Sequence, residues 1–174
     1  MRIRDFEKKF RIIETSNFWQ GRNGYRPKAI VLHITDSDLK SAINTIKNPN
    51  SAASYHYLIS KAGVIYKFVD IDDAAWHAGK VVNPSWDLII HGVNPNYYTI
   101  GVACEGKRGE LIEVKQFVAL VVLIAFICKE VEIYPNSQTI IYHREIRSDK
   151  TCPDSYINKH SVIPLTQEIL KMIK

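Results

Sequence analysis

Two short apolar runs far apart in the chain, Ala29-Ile-Val-Leu-His33 and Thr139-Ile-Ile-Tyr-His143, each close on a histidine. Such runs read as strands buried in a sheet. A histidine set directly after one is held by rigid backbone while its ring reaches the sheet's rim. A third residue of interest, Cys152, stands in Lys150-Thr-Cys-Pro-Asp, among polar neighbours and before a turn-forming proline. Two imidazoles and a thiolate would give zinc three protein ligands and leave a fourth position open, as in catalytic rather than structural sites. Each residue has an ordinary alternative. A strand-end histidine is more often a hydrogen-bonded core or surface residue, and a lone cysteine beside a proline usually does nothing. The separations, 110 residues between the histidines and nine more to the cysteine, match no compact metal motif. Neither His-Glu-x-x-His nor Gly-x-Ser-x-Gly occurs.

Around these runs the elements alternate. Lys28 to Ile34 reads as a buried strand. Asp36-Ser-Asp offers a helix cap, followed by Leu39, Ala42, Ile43 and Ile46 at helical spacing, with a stop near Asn48-Pro-Asn. Tyr55 to Ser60 and Val64 to Val69 form a hairpin about Lys61-Ala-Gly. An irregular stretch from Asp70 to Asn96 carries two tryptophans and two histidines, and loops of that length in a compact domain are usually functional. A strand over Tyr98 to Cys104, a helix from about Glu113 to Glu132, a strand over Thr139 to His143 and a helix from about Ile163 complete the chain. Strands alternating with helices, plus one hairpin, predict an α/β fold: a single domain over residues 1–174 with a mixed central sheet flanked by helices.

The 174 residues suffice for one domain with a real core. The longest apolar stretch, Phe117 to Cys128, is shorter than the roughly 20 residues a bilayer requires and reads as a buried helix, so no membrane is expected. The charged start, Met-Arg-Ile-Arg-Asp-Phe-Glu-Lys-Lys-Phe, lacks the apolar region of a signal peptide, and cytoplasmic synthesis is expected. Three cysteines argue against a disulfide framework, and Cys104 and Cys128, set in apolar runs, read as core residues. The net charge of +5 favours an anionic partner. Lysines and arginines are dispersed rather than clustered, so charge alone does not choose among nucleic acid, a membrane face and an acidic cell-wall polymer.

Six segments together carry a resemblance. They are Val31-Leu-His33-Ile-Thr, Ser54-Tyr-His-Tyr-Leu-Ile59, Ala75-Trp-His-Ala-Gly79, Asn96-Tyr-Tyr-Thr-Ile-Gly-Val102 with Glu105-Gly106, Tyr142-His143-Arg-Glu, and Lys150-Thr-Cys-Pro153. In this order, over roughly residues 28–155, the chain resembles the type-2 N-acetylmuramoyl-L-alanine amidases, the superfamily of amidase-type phage lysozymes and peptidoglycan recognition proteins. The resemblance implies a mixed sheet flanked by helices, Zn2+ on His33, His143 and Cys152, and hydrolysis of the amide joining the lactyl group of N-acetylmuramic acid to L-alanine in bacterial peptidoglycan.

It also implies roles for other residues. Glu105 matches the catalytic glutamate of recycling amidases and is the candidate general base. A second acid that the family often carries two residues earlier is replaced here by Ala103. Lys150 matches a catalytic lysine able to stabilise an oxyanion, and Tyr55 a tyrosine near the metal. Trp76 and His77 fall on a segment that helps form the substrate groove; Thr35, read from its place just past His33 rather than from the resemblance, is a candidate to line the site. His56, His91 and His160 are set aside, His56 because strand alternation points it away from Tyr55. The implied identity is an endolysin of phage or prophage origin, made in the cytoplasm without a signal peptide and acting on the cell wall after release. Its partner is peptidoglycan, with no nucleic acid expected and a monomer favoured. The alternatives are a cytosolic recycling amidase acting on soluble muropeptides and a non-catalytic peptidoglycan binder.

Overall fold

A computed structural model of the chain describes residues 6–173; the charged N-terminal stretch 1–5 lies outside the described residues. Among the described residues eight strands occur: β1 (Arg11–Ile12), β2 (Phe18–Trp19), β3 (Ala29–Ile34), β4 (Tyr57–Ile59), β5 (Ile65–Lys67), β6 (Ala74–Ala75), β7 (Thr99–Cys104) and β8 (Ile140–Tyr142). Six of them form one sheet in the order β1-β5-β4-β7-β3-β8, and β2 pairs with β6 in a separate ribbon. The β4–β5 hairpin is antiparallel and the other neighbours in the large sheet are parallel, so the sheet is mixed. The helices are α1 (Leu39–Lys47), α2 (Val114–Glu130), the one-turn α3 (His143–Ile146) and α4 (Lys159–Met172). This is the single-domain α/β architecture that the alternation of elements implied.

The two faces of β3 are assigned by its period of two. Ile30, Leu32 and Ile34 pack with Ile100, Val102 and Cys104 of β7 against Leu120, Leu123, Ile124 and Ile127 of α2 and Val162 of α4. A fully buried leucine or isoleucine contributes about 1.5–3 kcal/mol, which makes this packing the main hold on α2. Ala29 and Val31 face the other way, into a cluster with Trp86, Tyr98 and Ile141. On the same side Leu58 and Ala103 meet Ala42 and Ile46 of α1. Between these clusters the next outward position of β3 is His33. The central strands are covered on both faces, which is why they read as unbroken apolar runs. Cys104 and Cys128 are buried as expected.

The boundaries moved in three places. β4 and β5 are three residues each, so Tyr55 precedes the hairpin rather than lying within it. β8 stops at Tyr142, whose amide donates to Glu145 Oε2 at 2.7 Å, and His143 opens α3 instead of closing the strand. α4 starts four residues earlier than Ile163, where the Asn158 side chain accepts from the His160 amide at 3.0 Å, and Pro164 falls inside it. Among the described residues, no helix is long and apolar enough to cross a membrane.

Candidate metal and catalytic site

β3 and β8 run parallel and side by side. Their carboxyl ends therefore bring His33 and His143 together, at the rim where open α/β sheets place their ligands. The two rings lie 4.6 Å apart between centroids. The loop after α3 returns Cys152 to the end of β3, where its Sγ accepts from the Ile34 amide at 3.3 Å and lies 3.9 Å from His33 Nδ1. One ligand atom from each of His33, His143 and Cys152 falls within 4.8 Å of the others. Chain segments 119 residues apart thus supply one compact donor set.

The set fits a zinc ion. Bonds of about 2.0–2.3 Å to tetrahedral zinc separate ligand atoms by roughly 3.3–3.8 Å, and the Nδ1–Sγ distance is already 3.9 Å. Burial holds His33 well below the ordinary histidine pKa, and its neighbours His143 and His77 push the same way. Burial lowers His143 as well. Both imidazoles are therefore neutral, the form that ligates. Burial pushes the Cys152 thiol up to about 11, with partial relief from the Ile34 amide. A thiolate at neutral pH in this position calls for a cation beside it.

A family model described as N-acetylmuramoyl-L-alanine amidase matches residues 23–155, more than half of the chain and all three donors. The chain belongs to this amidase family. N-acetylmuramoyl-L-alanine amidase A of Achromobacter lyticus is 30% identical over 97 residues, which are 55% of this chain. The chain spans 46% of the length of that curated relative. The fold is shared with AmpD (TM-score 0.74, 19% identity, 90% of this chain and 94% of that one). It is shared also with the endolysin amidase LysCS of Clostridium intestinale (TM-score 0.60, 18% identity, 94% and 97%).

The other candidates of this amidase-family site divide by location. Tyr55 stands beside the donors, its ring 5.1 Å from His33, and burial, with Cys152 adding to it, raises its phenol pKa strongly. Lys150 is exposed on the loop before Cys152, close enough for its charge to bear on His143. Thr35 Oγ1 donates to Ser37 O at 2.8 Å and accepts from the Gly106 amide at 3.3 Å, so its hydroxyl braces the loop after β3. Glu105 is fixed on every side. Its carboxylate accepts from the Leu39 amide at 3.2 Å and the Lys61 amide at 2.8 Å. Its carbonyl accepts from Gln116 Nε2 and the Tyr156 hydroxyl, and its amide donates to Ile59 O. Two amides leave the carboxylate with lone pairs free.

His77, assigned by sequence to the groove, is only 7% exposed and lies behind His33, with Nδ1 3.2 Å from His33 Nε2. Its Nε2 lies 3.2 Å from Thr99 Oγ1. His56 is outside the donor set, and its Nδ1 accepts from the Gly101 amide. Trp76 lines a cleft of about 390 Å³ with Trp19, Ala52, Gly79 and Asn96. Trp19 stacks on Tyr97 at 4.9 Å and tilts against Trp76 at 5.6 Å. Sequence reasoning missed Trp19 and Asn96: the first precedes the matched segment, and the second is an asparagine whose partners are set by tertiary structure alone.

Proposed function

We propose that this chain is a zinc-dependent N-acetylmuramoyl-L-alanine amidase that hydrolyses the lactyl–L-alanine amide of bacterial peptidoglycan. One observation carries the reading: within a family match, donors from chain segments 119 residues apart converge as two neutral imidazoles and a thiol. Zinc held by His33, His143 and Cys152 would supply Lewis acidity at the scissile carbonyl and acidify water.

The remaining work falls to the chain's own side chains. Glu105, immobilised by its backbone bonds, takes the proton of the attacking water. Lys150 lends its charge to the developing oxyanion. Tyr55, whose phenol burial keeps protonated, donates a hydrogen bond at the carbonyl. Trp76, with Trp19 across the cleft, offers apolar faces on which a glycan or stem peptide can pack.

The setting proposed is that of an endolysin of phage or prophage origin, made in the cytoplasm and acting on the wall after release. The net charge of +5 suits a polymer rich in phosphate and carboxylate. A cytosolic recycling amidase is the second reading, supported by Glu105, and the fold shared with both AmpD and LysCS does not choose between the two. Mass analysis of digested peptidoglycan tests the bond: stem peptides with new L-alanine amino termini are expected, and new reducing sugar ends would overturn the assignment. Assays on intact sacculi beside soluble muropeptides test the setting. Cleavage confined to the soluble fragments would remove the endolysin reading.

A further inference from the structure

Both histidine donors lean on one dipeptide, His77-Ala78. Ala78 O lies 3.1 Å from His143 Nε2. A carbonyl only accepts, so His143 carries its proton on Nε2 and keeps the Nδ1 lone pair. The order at His33 is fixed from further away. Thr99 Oγ1 donates to Pro95 O at 2.7 Å, which leaves that oxygen an acceptor towards His77 Nε2 at 3.2 Å. His77 therefore holds its proton on Nε2, and its Nδ1 is an acceptor. His33 Nε2, 3.2 Å away, must then donate. What remains on His33 is an Nδ1 lone pair directed at the space shared with Cys152 Sγ, 3.9 Å off.

The dipeptide itself is held in place. Asn96 Oδ1 accepts from the amides of His77 at 3.1 Å and Ala78 at 2.8 Å. The His77 ring rests on Gly101, where an added Cβ would fall 2.5 Å from its Cγ.

We infer that His77-Ala78, clamped by Asn96, is a positioning element that sets both histidine ligands in the Nδ1-ligating tautomer, and that Thr99 decides the proton order on His77. This rests on the proposed metal site but concerns the chain's own protons. Polar partners behind a metal's ligands fix ring orientation and tautomer, and losing one weakens binding about 10–100-fold.

Two measurements on the full chain test it. The first is imidazole nitrogen NMR of the metal-free protein, in which His33, His77 and His143 should all appear as Nε2–H tautomers. A dominant Nδ1–H form at His33 would overturn the inference, whatever the protein's activity. The second is zinc affinity by competition with a chromophoric chelator. His77→Leu should bind zinc about 10–100-fold more weakly. His77→Asn, whose amide oxygen can occupy the Nδ1 position, should recover most of the loss. The near-isosteric Thr99→Val keeps the strand and should mix the His33 tautomers. Equal zinc affinity in wild type, His77→Leu and Thr99→Val would sink the idea. A wild type that binds no zinc would instead sink the metal reading and leave the tautomer result standing.

Discussion

At the scale of single residues, Glu105 and Cys152 carry the tests that separate chemistry from scaffolding. Glu105 joins the first turn of α1 to the hairpin turn through Leu39 and Lys61, so its loss has two consequences. Glu105→Gln removes a charge-assisted bond and should cost about 1.5–3 kcal/mol of stability. As the proposed proton acceptor, it should also lower kcat by about 10²–10⁴ with zinc retained. Urea unfolding, metal analysis and turnover measured together read both effects. A fall in stability with kcat intact would leave Glu105 as a clamp only. Cys152→Ser replaces a donor suited to zinc with a hydroxyl and should weaken zinc binding by at least about tenfold. Dialysis against graded chelator followed by elemental analysis checks this, and undiminished zinc would remove Cys152 from the site.

At the scale of elements, the sheet was legible wherever burial imposed a period. β3, β7 and α2 stand close to where apolar runs and helical spacing put them, and α1 begins after its capping Asp38, which accepts from the Ser41 amide at 2.9 Å. The meeting of His33 and His143 was legible because one lies at the carboxyl end of buried β3 and the other directly follows buried β8. The β2–β6 ribbon was not, since two residues carry no periodicity. The placement of His77 was not either, because neighbours distant in sequence decide what an imidazole bonds. Gly101 shows such a constraint acting on a strand. Gly101→Ala would drive a methyl into the His77 ring and should cost about 1–3 kcal/mol while loosening zinc. Unfolding and chelator competition on one sample would reveal either effect, and neither would appear if the ring could shift freely.

At the scale of the whole molecule, buried neutral histidines tie stability to pH. His77 is pushed down to about 3, and His33 and His56 lie well below their ordinary value, in each case chiefly by burial. In the unfolded chain all three titrate near roughly 6.5. Between those limits the unfolded state binds protons that the native state excludes, so stability is full above about pH 6.5 and falls as pH drops below it. Each histidine contributes a slope of about 1.4 kcal/mol per pH unit, and three together about 4. For metal-free protein in chelator, the urea midpoint should drop steeply between about pH 6.5 and 5. A flat profile there would mean that these rings accept protons without unfolding.

The segment ahead of the matched region bears on where this domain can be cut. The family match begins at residue 23, one position after Arg22. The Arg22 guanidinium is buried and donates to the carbonyls of Ile71, Asn96, Tyr97 and Thr99. β2, a few residues earlier, is the pairing partner of β6, which runs directly into Trp76 and His77. A fragment trimmed to the homology boundary would keep every proposed ligand. It would also strip hydrogen bonds from four carbonyls and the partner strand from the stretch that orients two of those ligands. Asn17, whose side chain is tied to the carbonyls of Ile46, Asn48 and Ala53, and β1, which pairs with β5, move the safe boundary further upstream still, ahead of Phe6 and Phe10, which are buried in the main core.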